Sequence, residues 1–485
     1  MTGRRGRPLD LRLRVRGWLA VRSPLAVGGI AADPADALPV ALDGQGRVHV
    51  PGTSLAGALR AWTRGRGDDP VELWGDAEDV GASRIVVRDG IVASSFAVDA
   101  DGIPTEPVDA AALPVRYGVA IDRETGAAAS EALYARTVVP PGNYVRFELD
   151  VECGRATADR DRARLRALLD ALAAERIRLG AASGTGFGTV SLLRTPLDVE
   201  EHDFTSADGL IAFLRGEVRA ADLDVAADPA LPPRREELTV TVAWTPTAPV
   251  MTRAPGDGAM VGALPLVTDV AGDRVALVLP GSSVKGALRS RAELIERTLR
   301  GDAGVAAALF GPWRDADARR GAVAVAECVS RTTVPADVWD AVVNGDDGPD
   351  APVLPAGVRD RLAQAGLDRA DHVAIDRWTG GAARGRLFSV LEPHGVAWEP
   401  IRLAVDLTRL GADADRAVAL LLVVLRDLAG GRVPLGGRTG RGFGDVAVES
   451  VDLRGGRWPD GATLPDALAT PALRAAWTAY LEEEA

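Results

Sequence analysis

The sequence PGSSVKGALR at residues 280–289 has a second copy, PGTSLAGALR, at residues 51–60. Both copies begin with proline, glycine and two hydroxyl residues, and both run into a pattern of apolar residues with helical spacing. Two glycine-rich turns of this length that each open an amphipathic helix do not arise readily by chance. The internal repeat is therefore the first feature to follow along the chain, because it decides the number of domains.

The helix after the first copy has apolar residues at positions i, i+3, i+4 and i+7, which places them on one face. These residues are Leu55, Ala58, Leu59 and Trp62. A hydroxyl side chain can accept a hydrogen bond from the free N–H groups at a helix N-terminus. We therefore expect Thr53 or Ser54 to cap this helix.

Two further segments recur in the same order. IDRETG at 121–126 returns as IDRWTG at 375–380, and GTGFGTV at 184–190 returns as TGRGFGDV at 439–446. Three coincidental glycine-rich loops are the alternative explanation, and the shared order argues against it. We infer a tandem duplication of a module of about 220 residues, a plausible size for one domain.

The repeat divides the chain into four parts: a first module at 1–220, a linker at 221–237, a second module at 238–455 and a helical tail at 456–485. The linker combines proline with charged residues, a composition typical of domain boundaries. Within each module the patterns predict strands and two helices in a βαββαβ-like order, with long insertions. This is an α+β fold of the ferredoxin-like (RRM-like) kind.

Composition excludes several classes of protein. No run of about 18 apolar residues occurs, so we expect neither a membrane-spanning helix nor a membrane partner. The basic N-terminal stretch lacks the apolar segment of a signal peptide, and we therefore expect a cytoplasmic protein. The net charge of −12 argues against nucleic-acid binding over the whole surface, although a local basic groove stays open.

Cysteine and histidine give little sign of a metal site. Cys153 and Cys328 are the only cysteines, too few for a disulfide framework or a cysteine-based metal site. The histidines are scattered along the chain and lack the spacing of metal ligands. They are His49, His202, His372 and His394.

At the repeated motifs, the chain resembles the RAMP superfamily of CRISPR-associated proteins. It is most similar to the repeating backbone subunit of type III CRISPR effector complexes. Three features in each half carry the resemblance: the P-G-[ST]-S-x-x-G-x-L-R turn, the I-D-R-x-T-G segment, and a glycine-rich loop after the last helix. The tandem arrangement resembles a fused double backbone subunit. The resemblance implies two RAMP modules in tandem, with guide CRISPR RNA, target RNA and other effector subunits as partners.

The glycine-rich segments are candidate RNA-binding sites, because free N–H groups at a helix N-terminus attract phosphate. Gly57 and Gly286 lack side chains and would let a backbone approach, and Lys285 is the only lysine in the chain. The alternative is a tight turn that packs against the sheet. The predicted RNA-binding residues are Gly52, Thr53, Ser54, Arg60, Gly281, Ser282, Ser283, Lys285, Arg289, Gly184, Gly186, Gly188, Arg438, Gly440, Arg441 and Gly442.

The segments around 113–139 and 373–389 are predicted to project as loops or hairpins. By resemblance they are the "thumb", which in relatives inserts into the guide–target duplex and displaces a base pair at regular intervals. A charged surface turn with a local ion pair is the alternative. The thumb residues are Ile121, Asp122, Arg123, Ile375, Asp376 and Arg377.

The resemblance also implies cleavage of target RNA by an aspartate in the loop after the first strand, with Mg²⁺ (or Mn²⁺) as cofactor. In the first module this loop holds Asp33 and Asp36, and we favour Asp36, which would also bind the metal ion. Asp36 lies three residues before Pro39, whereas the family pattern places the acid two residues before the matching proline. An ordinary solvated carboxylate is the alternative for each of these residues.

In the second module, the proline expected to match Pro39 is Pro265. Gly262 and Ala263 occupy the places before it, and the nearest acid is Asp257, further upstream. The second module is therefore either a copy that only binds RNA or one that uses Asp257.

Three functions remain open at the sequence level. The first is an RNA-guided endoribonuclease that cuts complementary RNA with a loop aspartate and a metal ion. The second is an RNA-binding scaffold without catalysis. The third is a guide-processing RNase, which would need an acid–base site made of histidine, tyrosine or lysine, and the scattered histidines count against it.

Overall fold

The computed structural model describes residues 9–29, 36–65, 71–75, 82–122, 128–224, 234–270, 272–312, 320–345 and 354–482. The chain divides into two compact units. The first comprises Met1–Ser183 and Phe187–Arg235, and the second comprises Gly184–Gly186 and Glu236–Ala485. Apart from the short segment Gly184–Gly186, the division falls inside the linker predicted at 221–237.

The first unit contains nine described strands. They are β1 (Leu11–Val21), β2 (His49–Val50), β3 (Ile85–Val87), β4 (Gly90–Ala93), β5 (Val115–Ile121), β6 (Ala128–Thr137), β7 (Tyr144–Cys153), β8 (Val190–Leu192) and β9 (Asp198–Asp203). The helices described in this unit are α1 (Gly52–Arg64), α2 (Val71–Trp74), α3 (Ala158–Ala173) and α4 (Ala207–Leu214).

The central sheet of the first unit has the ferredoxin-like order. Strand β1 lies between β7 and β8, and β3 pairs with the other side of β7, all antiparallel. With α1 after β1 and α3 after β7, the chain follows βαββαβ with the fourth and third strands flanking the first. The fold class predicted from the repeated patterns is confirmed for this unit.

Strand β1 forms because its residues alternate between core and surface. Leu13 and Val15 are buried, whereas Arg14 points to the other face and donates to Asp150 of β7 at 2.8 Å. Leucines of α3 cover the buried face, and Leu165 and Leu168 are each 1% exposed. Full burial of a leucine side chain stabilises a fold by about 1.5–3 kcal/mol, so this contact holds α3 on the sheet.

The second unit repeats the arrangement with more insertions. Its strands are β10 (Glu237–Pro246), β11 (Val267–Val270), β12 (Arg274–Leu279), β13 (Val323–Val325), β14 (Cys328–Pro335), β15 (Leu367–Ile375), β16 (Ala382–Pro393), β17 (Ile401–Asp406), β18 (Val446–Gly455) and β19 (Trp458–Thr463). Its described helices are α5 (Gly281–Arg300), α6 (Gly304–Phe310), α7 (Ala336–Asn344), α8 (Ala356–Gln364), α9 (Leu407–Leu410), α10 (Ala414–Ala429), α11 (Leu464–Leu468) and α12 (Pro471–Glu482).

The main sheet of the second unit has the order β13-β17-β10-β18-β19, so the first four strands repeat the order found in the first unit. Strands β11, β12 and β14 form a smaller sheet beside it. Helix α10 is buried along most of its length, with Leu420, Leu421 and Leu425 among its fully covered residues. Both units are therefore ferredoxin-like modules. No helix within the described ranges has the length and apolar character needed to cross a membrane.

Both predicted projections are two-stranded antiparallel hairpins. Strand β5 pairs only with β6, and β15 pairs only with β16, in sheets separate from the main ones. The prediction of loops or hairpins at 113–139 and 373–389 is confirmed as hairpins. Their strands give only weak periodicity in the sequence because most of their side chains are exposed or only partly buried.

One local prediction is wrong and another is incomplete. Helix α1 begins after Pro51, and neither Thr53 nor Ser54 caps it with a side-chain hydrogen bond. The tail at 456–485 ends in helices, as predicted, but it starts with strand β19, which pairs with β18 before those two helices. Strand β19 forms because pairing with the edge of an existing sheet satisfies its backbone N–H and C=O groups. The helical pattern further along the tail gives no sign of this pairing.

Candidate nucleic-acid interface

The glycine that begins each repeated helix lies against a strand of its own unit. A Cβ atom on Gly52 would be 2.5 Å from the carbonyl oxygen of Val87, and one on Gly281 would be 2.3 Å from that of Val325. No side chain tolerates such an approach, so glycine is required here for packing the helix onto the sheet. The alternative of a tight packed turn therefore applies to these two glycines, and their contact with RNA stays a prediction.

The N-terminus of α1 also has a partner of its own. The backbone N–H of Gly52 donates to the carboxylate of Asp89 at 2.7 Å. A carboxylate at a helix N-terminus is stabilised by the helix dipole, which is the same physical preference that favours phosphate. An RNA phosphate at this position would therefore compete with Asp89, while Thr53 beside it is exposed.

Gly57 and Gly286 have open space around them. Both are exposed in the middle of a helix, and a Cβ atom on either would have no atom within 4 Å. Glycine inside a helix costs about 1 kcal/mol relative to alanine, and nothing in the packing of either unit requires it here. Each helix thus presents a strip of bare backbone, one turn beyond the exposed residues Thr53 and Ser282.

The predicted phosphate-binding cations on helices α1 and α5 have partners within the protein. Arg60 donates to the carbonyl oxygen of Gly75 at 3.2 Å, and Arg289 donates to Glu293 at 2.7 Å. The ammonium group of Lys285 donates to the carbonyl oxygen of Val323 at 2.7 Å. Each of these groups has further N–H donors, so each could contact a phosphate while it keeps its protein acceptor.

Lys285 is partly buried. Burial lowers its pKa to about 8, and the positive charges of Arg320 and Arg289 act in the same direction. A buried ammonium beside two guanidinium groups gains from a nearby anion, because an opposite charge favours the charged form.

The two glycine-rich loops share one backbone conformation. Leu179 donates to Gly188 at 2.8 Å, and Leu435 donates to Gly444 at 2.9 Å. Ala182 and Arg438 hold the same place in the loops and have positive φ angles of 56° and 60°. Each loop includes a short 3-10 helix, at Ser183–Thr185 and at Thr439–Arg441.

The loops differ in charge at matched positions. Arg438 stands where the other loop has Ala182, and Arg441 stands where it has Thr185. Arg441 and Gly440 are exposed. In the other loop, Gly184 and Gly186 belong to the segment that is grouped with the second compact unit. The loop of the second module is therefore the more strongly cationic.

Arg438 connects the glycine-rich loop of the second unit to the hairpin β15–β16. Its guanidinium lies over the ring of Phe388 on β16 at 5.1 Å and near the ring of Phe443 at 5.8 Å. Burial, followed by the charges of Arg441 and Arg253, lowers the pKa of the Arg438 guanidinium. Arginines from two loops are thus collected at the base of one hairpin.

The hairpin tips carry the predicted thumb residues. Ile121 and Ile375 are exposed, Asp122 is described at the end of β5, and Arg123 lies outside the described residues. Asp376 closes its turn by accepting from the backbone N–H groups of Thr379 and Trp378, which lowers its pKa. This turn holds the tip in a defined shape, which a solvated loop would lack.

Trp378 is a residue that the sequence predictions missed. It is 95% exposed at the tip of the second hairpin. The sequence does place this tryptophan in a polar turn that contains glycine. A large ring in such a turn is expected to be exposed, because a projecting turn offers no hydrophobic core to bury it. Arg377, Arg384 and Arg386 of the same hairpin are exposed and have no partner in the part of the chain that the structure describes.

The acidic loop of the first unit lies against the first hairpin. Leu38 donates to Ala135 of β6 at 3.0 Å and accepts from Thr137 at 2.9 Å. Asp36 is exposed just before this ladder, and Asp33 lies outside the described residues. The loop and the hairpin predicted from separate motifs are therefore brought together.

The second unit has the same ladder with a different register from the one expected. Pro39 accepts from Gly29 at 2.8 Å, and Leu264 accepts from Ala254 at 2.8 Å, so Leu264 is the counterpart of Pro39. The expected match to Pro265 is wrong by one residue, because insertions within the loop cannot be placed without the backbone pairing.

The corrected register places an apolar residue opposite the candidate acid. Counting back from Leu264 gives Val261 as the counterpart of Asp36, and Val261 is 1% exposed. Asp257 is exposed and forms an ion pair with Arg253 at 2.5 Å. The second unit thus has no carboxylate at the position of Asp36.

Two of the histidines that look scattered in the sequence share one carboxylate. His372 and His394 each contact Glu392, at 2.8 and 3.1 Å. No three carboxylate, histidine or cysteine side chains in the described ranges are arranged to hold a metal ion. The expectation that the histidines are dispersed is therefore wrong for this pair.

Comparison with known proteins gives one family. The model of the RAMP superfamily matches residues 18–191 and again residues 274–447, which together exceed half of the chain. Each match covers the central elements of one ferredoxin-like module. A search of curated proteins finds no match.

Proposed function

Because the chain belongs to the RAMP superfamily, whose members are CRISPR-associated RNA-binding proteins, we propose that it is a fused double backbone subunit of a type III CRISPR effector complex. In this role both modules bind guide RNA, and the first module cuts complementary target RNA. Superfamily members work in CRISPR complexes with RNA and other subunits, and we propose partners of these two kinds for this chain.

The duplicated surface supports guide binding by both modules. Each unit has a helix that carries an exposed glycine, Gly57 or Gly286, and each unit has a projecting hairpin. The second adds Arg438 and Arg441 in its loop. Backbone N–H groups and arginines suit the phosphates of RNA, whereas a net charge of −12 confines binding to such local surfaces.

One observation carries the proposal of cleavage in the first unit. Leu38 donates a backbone hydrogen bond to Ala135 and accepts one from Thr137, and these bonds hold the loop of Asp36 beside hairpin β5–β6. If this hairpin is the thumb that displaces a base pair, the target strand at that point has an unstacked nucleotide. An unstacked ribose can turn its 2′-hydroxyl in line with the adjacent phosphate, as strand cleavage requires.

The reaction is an internal transesterification. The 2′-oxygen attacks the adjacent phosphorus, the bond from phosphorus to the 5′-oxygen breaks, and the products are a 2′,3′-cyclic phosphate and a 5′-hydroxyl. The Asp36 carboxylate, or solvent when Asp36 holds the metal ion, accepts the 2′-hydroxyl proton, and a water molecule gives a proton to the departing 5′-oxygen. A bound Mg²⁺ (or Mn²⁺) would neutralise the charge that develops on the phosphate.

The residues of the first unit fit a Mg²⁺ ion that takes some of its ligands from the RNA substrate. Mg²⁺ is commonly held by one or two carboxylates together with phosphate oxygens of the substrate, and Asp36 supplies one exposed carboxylate. No closed protein cage is needed, in agreement with the lack of a three-ligand group within the described ranges.

The test compares metal-dependent cleavage by the assembled complex. Labelled target RNA and Mg²⁺ are added to wild type, Asp36→Ala and Asp257→Ala. We expect Asp36→Ala to lose at least about 100-fold in rate, as for loss of a group that assists proton transfer, and Asp257→Ala to cut normally. Full cleavage by Asp36→Ala would overturn the assignment.

For the metal-dependent reaction, the alternative of a non-catalytic scaffold is favoured for the second unit by Val261 in place of an acid. For the whole chain it becomes the correct function if wild-type complex binds guide and target RNA tightly but leaves the target intact in Mg²⁺ and in Mn²⁺.

A further inference from the structure

Three side chains at the base of hairpin β15–β16 form a compact cluster. The Nε2 atom of His372 lies 2.8 Å from Oε1 of Glu392, and the Nε2 atom of His394 lies 3.1 Å from Oε2. The Glu392 side chain is 10% exposed, whereas those of His372 and His394 are 35% and 49% exposed. One nearly buried carboxylate therefore orients two imidazoles that solvent and ligands can reach.

The carboxylate fixes which nitrogen of each ring is available. A carboxylate only accepts hydrogen bonds, so the Nε2 atom of each ring carries the proton when it contacts Glu392. The Nδ1 atoms of His372 and His394 have no hydrogen-bond partner among the described residues. Each Nδ1 atom is thus free to take a proton from a ligand, or to give one when the ring is charged.

The surroundings favour an anionic ligand. The ring of His372 stacks on Phe388 at 5.4 Å, and the guanidinium of Arg438 lies over the same phenyl ring at 5.1 Å. Arg441 and Arg253 are near enough to Arg438 to act on its charge. The charges of Glu392 and of Asp257, which pairs with Arg253, offset part of this positive charge, so Arg438 and Arg441 are the cations available to a phosphodiester beside the histidines.

The first unit builds the same hairpin without this cluster. His372 faces Phe388 across the strands, and the matching pair in the first unit is Gly118 facing Tyr134. The residue after Thr137 is Val138, where the second unit has Glu392 after Leu391. Since the fold forms without the three polar side chains, they are an addition specific to the second unit.

We propose that His372 and His394 are the catalytic base and acid of a metal-independent RNA-cleaving site in the second unit, with Glu392 as the positioning residue. The proposal rests on the proposed function only in that an RNA strand must lie along this unit. Its chemistry is that of ribonucleases with paired histidines, and the ligand class is a phosphodiester with a free 2′-hydroxyl.

The proposed reaction conserves every atom and charge. A neutral imidazole takes the 2′-hydroxyl proton as the 2′-oxygen attacks phosphorus, and the second, protonated imidazole gives its proton to the departing 5′-oxygen. The products are a 2′,3′-cyclic phosphate and a 5′-hydroxyl, and the two rings end with their protonation states exchanged. No oxidant, reductant or metal ion takes part.

The experiment uses the full-length protein and a labelled RNA in excess EDTA. Binding is measured by filter retention, and cleavage is measured by detection of the 2′,3′-cyclic phosphate end. We expect cleavage that rises and falls between about pH 5 and about pH 8, the range in which imidazoles exchange protons. An RNA with 2′-deoxyribose at the cut position should bind and stay intact.

Variants separate a chemical role from a structural one. We expect His372→Asn and His394→Asn each to lower the rate at least about 100-fold while RNA binding persists. Glu392→Gln should retain RNA binding and lower the rate with a changed pH profile, because the rings lose the carboxylate that orients both of them. Asp371→Asn, which alters an exposed carboxylate on the same strand, is the matched control and should cut as wild type does.

Two results would overturn the inference. The first is RNA that binds and stays intact in EDTA at every pH in that range, which leaves the proposed binding function standing. The second is equal cleavage by wild type and both histidine variants. Absence of RNA binding by the wild type would remove the proposed function itself, and the inference with it.

Discussion

Gly52 and Gly57 lie on the same helix of the first unit, yet their surroundings differ. A Cβ atom at Gly52 would collide with the carbonyl oxygen of Val87 at 2.5 Å, whereas one at Gly57 would meet no atom within 4 Å. Glycine is therefore required at position 52 for the helix to pack on the sheet. At position 57, no contact within the unit requires glycine. A residue kept bare at a cost to helix stability is a good candidate for contact with another backbone.

This pair allows a matched test. We expect Gly52→Ala to lower the free energy of unfolding by about 1–3 kcal/mol, as for other overpacked sites. Gly57→Ala should raise it by about 0.4–1 kcal/mol, because alanine favours the helix and restricts the unfolded chain. RNA affinity should nevertheless fall for Gly57→Ala, since the new methyl group occupies the bare strip. The measurements are thermal unfolding and RNA titration.

The outcome that contradicts this reading is specific. If Gly57→Ala is more stable and binds RNA as tightly as the wild type, the exposed face of α1 does not contact RNA. Gly286→Ala provides the same comparison in the second unit.

Sequence alone could identify these glycines but could not separate their roles. The repeated motif singles out both positions in both copies, yet the approach of Val87 or Val325 depends on the packing of helix on sheet. The same limit applies to Lys285, whose bond to the carbonyl oxygen of Val323 and lowered pKa of about 8 come from burial. Charge and residue type are visible in a sequence, and the partner of a charge is not.

At the scale of elements, hairpin β15–β16 combines an aromatic tip with unpaired charge. Trp378 is 95% exposed in a turn closed by Asp376, and Arg377, Arg384 and Arg386 lack partners within the described ranges. Aromatic rings that stack on bases, next to cations that follow the phosphates, are the usual elements of single-strand binding. The hairpin therefore has the chemistry to hold an unstacked nucleotide.

We expect Trp378→Ala to weaken RNA binding by about 1–3 kcal/mol, the usual contribution of one base–aromatic stack. Trp378→Phe should recover most of the loss because its ring still presents a face to a base. Leu387→Ala is the control, since Leu387 is 72% exposed on the same hairpin and has no ring. Equal losses for Trp378→Ala and Leu387→Ala in RNA titrations would indicate general apolar contact and contradict stacking.

The elements differ in how far their sequence could define them. The repeated helices and hairpins were predictable because their motifs occur twice in the same order. The pair His372 and His394 was not, because it depends on strand register: Glu392 and His394 reach His372 only when β16 returns beside β15. Trp378 lay between these cases, with its residue type visible and its exposure settled by the turn.

At the scale of the whole molecule, the duplicated fold carries different residues at matched positions. The first unit has Asp36 beside its hairpin, where the second has buried Val261. The second has His372 and Glu392, where the first has Gly118 and Val138. Duplication was predictable from repeated motifs, and this exchange of functional groups became visible only when the hydrogen-bond ladders fixed which residues correspond.

The exchange gives an expectation for the whole chain: two cuts in RNA bound to one protein, with different requirements. The cut at the first unit needs Mg²⁺ (or Mn²⁺) and disappears in Asp36→Ala, because the carboxylate and the ion act together. The cut at the second unit persists in EDTA and disappears in His372→Asn, because paired imidazoles move protons without a metal ion. End-labelled RNA resolved by length, with and without EDTA, distinguishes the two positions, and the double variant should bind RNA and leave it whole. A single cut position that both substitutions abolish would mean that one centre serves the entire chain, which contradicts a division of chemistry between the units.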